Sequence, residues 1–145
     1  MDRYDLLQAT YWAFVLATCT VAWRRGEWPE QAGAAIIFLG SLGTVLAVRI
    51  DRLNIGSAQL GVLLVDLLAL AGLLALVVRT NRFWPLWVCA FDLVGIATHI
   101  VTLFYPTILP TPYRLVRGFW AYPMMIAIMM GSLYPWRMRR TSSKA

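Results

Sequence analysis

SAQLGVLLVDLLALAGLLALVVRTNRFWPLWVCAFDLVGIATHIVTLFY, residues 57–105, is a pair of long apolar runs joined by the short basic link Arg79-Thr-Asn-Arg-Phe-Trp-Pro85. Each run is about 20 residues, the length that carries an α-helix across a hydrocarbon layer of about 30 Å. The stretch therefore predicts a helical hairpin in a membrane. Each helix holds one carboxylate in a similar apolar frame, Val62-Leu-Leu-Val-Asp66-Leu and Val88-Cys-Ala-Phe-Asp92-Leu, and the second also holds His99, the single histidine of the chain. An ionisable side chain within a span is costly to keep there, so Asp66, Asp92 and His99 are where chemistry is expected.

The same reading extends outward to both ends. The chain has 145 residues, of which 60% are hydrophobic and 14% charged, too apolar for one aqueous core of ordinary proportions. The expected fold is an all-α integral membrane protein: one transmembrane helical domain over residues 1–145, a bundle of five transmembrane helices with short loops. The expected spans are 4–23, 31–48, 57–78, 85–105 and 118–134, followed by a basic tail at 136–145.

In the first span, Tyr4, Gln8, Tyr11, Val15 and Thr18 recur at helical spacing and are expected to face the bundle, where interhelical hydrogen bonding is their simplest use. Met1-Asp-Arg-Tyr-Asp5 lacks the positive excess of a cleaved leader, and Leu16-Ala-Thr-Cys19 departs from a lipoprotein cleavage box at Thr18, so the segment is read as a span. Gly26 and Pro29 break the helix, and Glu30 with Gln31 suits the first turn of the next one. That second span is short and rich in small residues, from Gly33 through Gly40, Ser41 and Gly43, which permits close helix packing.

Ser57 is a candidate cap for the third span, on which Gln59, Asp66 and Ala69 fall close to one face. Phe83, Trp84 and Trp87 are expected to form an aromatic belt at the membrane surface. Along the fourth span Cys89, Asp92, Gly95, His99 and Thr102 recur at three and four residues, a polar and small stripe on an otherwise apolar helix. The proline-bearing loop 106–117 precedes a fifth span in which Pro123 is a candidate kink and Pro123, Ala127 and Gly131 form a small-residue ladder.

Five crossings place Arg24, Arg25, Arg79, Arg82, Arg137, Arg139, Arg140 and Lys144 on one side and Arg3, Arg49, Arg52, Arg114 and Arg117 on the other. The richer side is expected to be cytoplasmic, with the N-terminus outside. The net charge of +6 then reports topology, and nucleic acid is not an expected partner. With spans centred near Leu68 and Gly95, Asp66 lies about 3 Å and His99 about 6 Å outward of the midplane, and Asp92 about 4–5 Å inward. Asp66 and His99 are thus placed to meet across the hairpin, either fastening the helices or relaying a proton.

Val65-Asp-Leu, Asn81-Arg-Phe-Trp-Pro-Leu-Trp87, Ala90-Phe-Asp-Leu-Val-Gly-Ile-Ala-Thr-His99 and Phe119-Trp-Ala-Tyr-Pro123 together give a chain that resembles small uncharacterised multi-span inner-membrane proteins of alphaproteobacteria, sphingomonads especially. The resemblance covers about the last two thirds of the chain and implies a bacterial inner-membrane address with no established activity. In that group the position of Asp92 often carries Gln, while the Thr98-His99 pair is more typical, which implies that His99 matters more than a two-carboxylate mechanism.

Cys19 and Cys89 lie in apolar runs and read as packing residues; no motif indicates a metal, a cofactor or catalytic residues, and an enzyme is not expected. A haem held by His99 and one of Met124, Met125, Met129 or Met130 is a minor alternative. Two functional expectations remain. The favoured one is an accessory or scaffold subunit of a larger membrane complex, with lipid and a membrane-protein partner or a second copy around it, on the small-residue ladders of several spans, the apolar proline-bearing loop as a docking surface and the little volume that five short-looped helices enclose. The other is a minimal proton-coupled carrier or channel using Asp66, Asp92 and His99, with Gln59 and Thr102 completing the intramembrane polar core.

Overall fold

The computed structural model describes residues 3–51, 58–104 and 119–134, and over these the chain is helical apart from short turns. The helices are α1 (Arg3–Arg25), α2 (Trp28–Asp51), α3 (Ala58–Arg79), α4 (Trp84–Phe104) and α5 (Ala121–Leu133). The expected cap at Ser57, the proline-bearing loop and the basic tail lie outside the described residues, as does the side chain of Gln59.

The first four helices are long and apolar enough to cross a membrane. They expose Leu39, Leu64, Leu68, Val78 and Phe104 on the outside while Glu30 and Asp92 are buried, the reverse of a chain folded in water. Lipid is the solvent that this arrangement fits. The protein is a helical membrane protein with four helices of spanning length. A fifth span is not shown: α5 has 13 residues, about 20 Å of rise against about 30 Å of hydrocarbon.

Helix boundaries correct several other expectations. The second helix is not short; it runs 24 residues from Trp28 because Pro29 falls in its first turn, where a missing N–H removes no helical hydrogen bond. Gly26 alone breaks the chain there. A Cβ at Gly26 would lie 2.6 Å from the Ala22 carbonyl oxygen and 2.7 Å from the Glu30 Cβ, so the two-residue turn closes only around glycine. Pro123 likewise sits in the first turn of α5, a position in which it starts a helix and kinks nothing.

The helices form a closed ring, α1 to α2 to α3 to α4 to α5 and back to α1, with α2 also touching α5 across the middle. Small residues make the α2–α3 contact close: Gly43 faces Val65, Gly61 faces Ala47 and Gly72 faces Ile36. The apolar core gathers Val15, Ile37, Leu73, Val88, Met125 and Ile128, one or more from every helix. Tyr122, near the start of α5, packs edge-on against Tyr11 and Phe14 of α1, whereas Gly131 near its end meets Trp84 at the start of α4. The fifth helix therefore runs antiparallel to α4, beginning deep within the bundle and ending at the level of the α3–α4 link.

Candidate functional site

Two polar constellations lie inside this frame, one at the end of the bundle and one near its middle. The first was absent from the sequence reading. Glu30 is 0% exposed, and its Oε1 accepts hydrogen bonds from Arg82 Nη1 and Trp84 Nε1, both at 2.7 Å. Its other oxygen, Oε2, accepts from the Glu27 backbone N–H at 2.9 Å, so the same carboxylate caps α2 from the third helical position. Arg82 also reaches Glu27, whose side chain is half exposed. One guanidinium thus joins the α1–α2 turn to the α3–α4 link.

Trp84 completes this clamp and is not a belt residue. It is 7% exposed, whereas Phe83 and Trp87 do lie on the surface. Its indole fills a notch between helices: a Cβ at Gly33 would lie 2.6 Å from Trp84 Cη2, and one at Gly131 would lie 2.6 Å from Trp84 Cδ1. The small residues at 33 and 131 therefore receive a side chain of the chain itself. The signal for the clamp was present in the topology, since both links emerge at one end of the bundle and carry Glu27, Glu30 and Arg82. Counting Arg82 only as a topological cation hid it.

The second constellation is the expected one. Asp66 of α3 and His99 of α4 meet across the hairpin, Oδ2 to Nε2 at 3.3 Å, with both side chains largely buried. Tyr11 of α1 is close enough to Asp66 for the two to interact electrostatically, and its hydroxyl lies 2.7 Å from Ser41 Oγ of α2. Ser41 in turn bonds the Ile37 carbonyl at 2.8 Å. Of the predicted bundle-facing stripe on α1, Val15 and Thr18 are buried and Tyr11 is half-buried, but Gln8 is exposed.

Asp92 does not join the pair directly. It is 7% exposed, interacts electrostatically with Asp66, and its Oδ2 has no hydrogen-bond partner among the described residues. Seven residues, or about 10 Å of helical rise, separate it from His99 on the same side of α4. Between them lies the half-exposed Gly95, where an added Cβ would meet no atom of the described residues within 4 Å. Thr102 bonds its own helix at the Thr98 carbonyl, 2.7 Å, and does not extend the cluster. Among the described residues no three His, Cys, Asp or Glu side chains converge as a metal ion would require. Met124 and Met125 pack in the apolar core.

The arrangement can hold and pass a proton. A carboxylate against an imidazole is a donor–acceptor pair, and a second buried carboxylate with a vacant lone pair is an acceptor in low dielectric. No family model matches the chain, and no curated protein or solved structure is similar to it.

Proposed function

We propose that the chain is a minimal proton-coupled carrier or channel whose working groups are Asp66, His99 and Asp92. The observation that carries this reading is Asp92: a buried carboxylate with an oxygen unpartnered among the described residues costs a fastening bundle stability and gains it nothing. Buried polar groups in membrane bundles are otherwise satisfied, as the Glu30 clamp illustrates. The reading includes a bacterial inner-membrane address, which the family resemblance supports, and a cytoplasmic C-terminus, which the distribution of arginines supports. It also takes α5 as the core of a fifth crossing, since this helix is antiparallel to α4 and closes the ring.

Of the small residues on the second and fifth spans, Gly33, Gly43 and Gly131 receive side chains of this chain and so are occupied within the bundle. Proton flux into liposomes carrying the purified protein separates the readings. Wild type is expected to acidify the lumen faster than protein-free vesicles, and Asp92→Asn and His99→Leu to abolish the difference. Wild-type vesicles as tight as empty ones, together with a stoichiometric partner retained in mild detergent, would favour the accessory subunit instead.

A further inference from the structure

We propose that the clamp end of the bundle is a docking surface for anionic phospholipid, with Arg24, Arg25 and Arg79 holding the headgroup phosphates. The inference goes beyond the proton-coupled reading and depends neither on it nor on which side of the membrane this end faces. Arg24 and Arg25 occupy the last turn of α1 and Arg79 the last turn of α3, and all three side chains are exposed. Arg82 ties the two links that follow these turns to one another through Glu27 and Glu30, so the three cations share one end of the bundle. Each helix C-terminus offers them only about half a negative charge, which leaves most of their charge uncompensated.

The acidic side chains of the chain, 7 in all, are committed elsewhere. Glu27 and Glu30 are both bound to Arg82. Asp66 is thirteen residues from Arg79 and Asp92 eight from Trp84, or about 20 Å and about 12 Å of helical rise into the bundle. Asp5 and Asp51 belong to the opposite ends of α1 and α2, and Asp2 precedes Asp5 in the chain. The sequence that follows α5, which ends at the level of the clamp, adds Arg137, Arg139, Arg140 and Lys144 and no acidic side chain. Negative charge for Arg24, Arg25 and Arg79 therefore has to come from outside the chain.

The neighbouring side chains select lipid as its source. Trp23, Trp28 and Trp87 are 75%, 55% and 53% exposed at this same level, and Trp87 packs edge-on against the exposed Phe83 at 6.2 Å. Indole rings beside guanidinium groups at the ends of apolar helices match the boundary between acyl chain and headgroup, where the ring covers the chain and the cation reaches the phosphate. A guanidinium presents two parallel N–H donors to the phosphate oxygens. In a zwitterionic lipid that phosphate already has the cation of its own headgroup, whereas an anionic lipid carries a charge with no counterpart. One arginine close to such a surface favours it by about fivefold.

Lipid selectivity of the whole chain tests the surface without any flux. The protein is reconstituted in phosphatidylcholine vesicles that contain brominated phosphatidylglycerol or, as reference, the same mole fraction of brominated phosphatidylcholine. Quenching of tryptophan fluorescence then reports which lipid lies against the exposed indoles. Wild type is expected to favour phosphatidylglycerol by about fivefold in relative association constant, and less so as salt is raised. Combining Arg24→Gln, Arg25→Gln and Arg79→Gln should bring the ratio to about one. If the triple variant does not fold, Arg79→Gln alone and Arg24→Gln with Arg25→Gln are each expected to lower the ratio. A wild-type ratio near unity would overturn the proposal and leave these cations to an acidic protein surface. A preference that survives the loss of all three arginines would overturn it as well, because the cations after residue 134 would then be its source.

Discussion

Glu30→Ala should be the most damaging single truncation in the protein. The side chain is 0% exposed and receives Arg82 Nη1 at 2.7 Å, Trp84 Nε1 at 2.7 Å and the Glu27 N–H at 2.9 Å, so its removal leaves a guanidinium and an indole donor in a site built around a carboxylate. Breaking a buried pair from one side costs about 3–5 kcal/mol, and here the largely buried guanidinium keeps only the half-exposed Glu27 as counter-charge, which places the expected cost near the lower end. Glu27→Ala removes a second carboxylate from the same arginine, but that side chain is 51% exposed, so the expected cost is below about 1 kcal/mol. Glu30→Gln falls between, since the amide oxygen still accepts from one donor while the charge is gone; about 1–3 kcal/mol is expected.

Reversible unfolding in mixed micelles, followed through tryptophan fluorescence, measures all three on one scale. Trp84 is itself a reporter, because its indole lies between Gly33 and Gly131 and is hydrogen-bonded to Glu30. The order Glu30→Ala, Glu30→Gln, Glu27→Ala is the prediction. Equal costs for Glu30→Ala and Glu27→Ala would refute it, and would mean that the α1–α2 turn and the α3–α4 link are held by apolar packing alone.

Gly131→Ala should destabilise by about 1–3 kcal/mol in the same unfolding assay and shift the tryptophan emission, because the new methyl would lie 2.6 Å from Trp84 Cδ1 and the indole is held on its far side by Gly33. A neutral Gly131→Ala would show that Trp84 can leave the notch. For topology, a reporter fused after Ala145 is expected to be active on the cytoplasmic side and one before Met1 outside; both ends on one side would mean that α5 enters and leaves by the same face.

The spans themselves were legible because hydrophobic length is a property of one segment at a time. The Asp66–His99 contact was legible too, since helical rise fixes depth once the hairpin is recognised, and two groups at similar depth on adjacent helices have few other places to go. Trp84 was misread for the opposite reason. A tryptophan next to a proline at a helix start has the sequence context of a surface belt, and only the glycines at 33 and 131, on two other helices, turn it inward. The last apolar run, expected over 118–134, ends within one residue of α5 (Ala121–Leu133), but its helix is shorter than a crossing, a length that hydropathy alone does not mark.

The two polar constellations differ in a way that assigns them different work. At the Arg82 end both oxygens of Glu30 are used, by Arg82, Trp84 and a backbone N–H, so the clamp has a single low-energy arrangement and resists motion between the two hairpins. Near the middle, the Asp66–His99 contact is a longer 3.3 Å and Asp92 keeps an oxygen unpartnered among the described residues. A bundle selected only for stability would place its loosest polar contacts at a wet end and its tightest ones in the middle of the bilayer. This chain does the reverse, an arrangement that fits the proposed proton-coupled reading, in which the interior groups exchange protons while the satisfied clamp holds the helices in register around them.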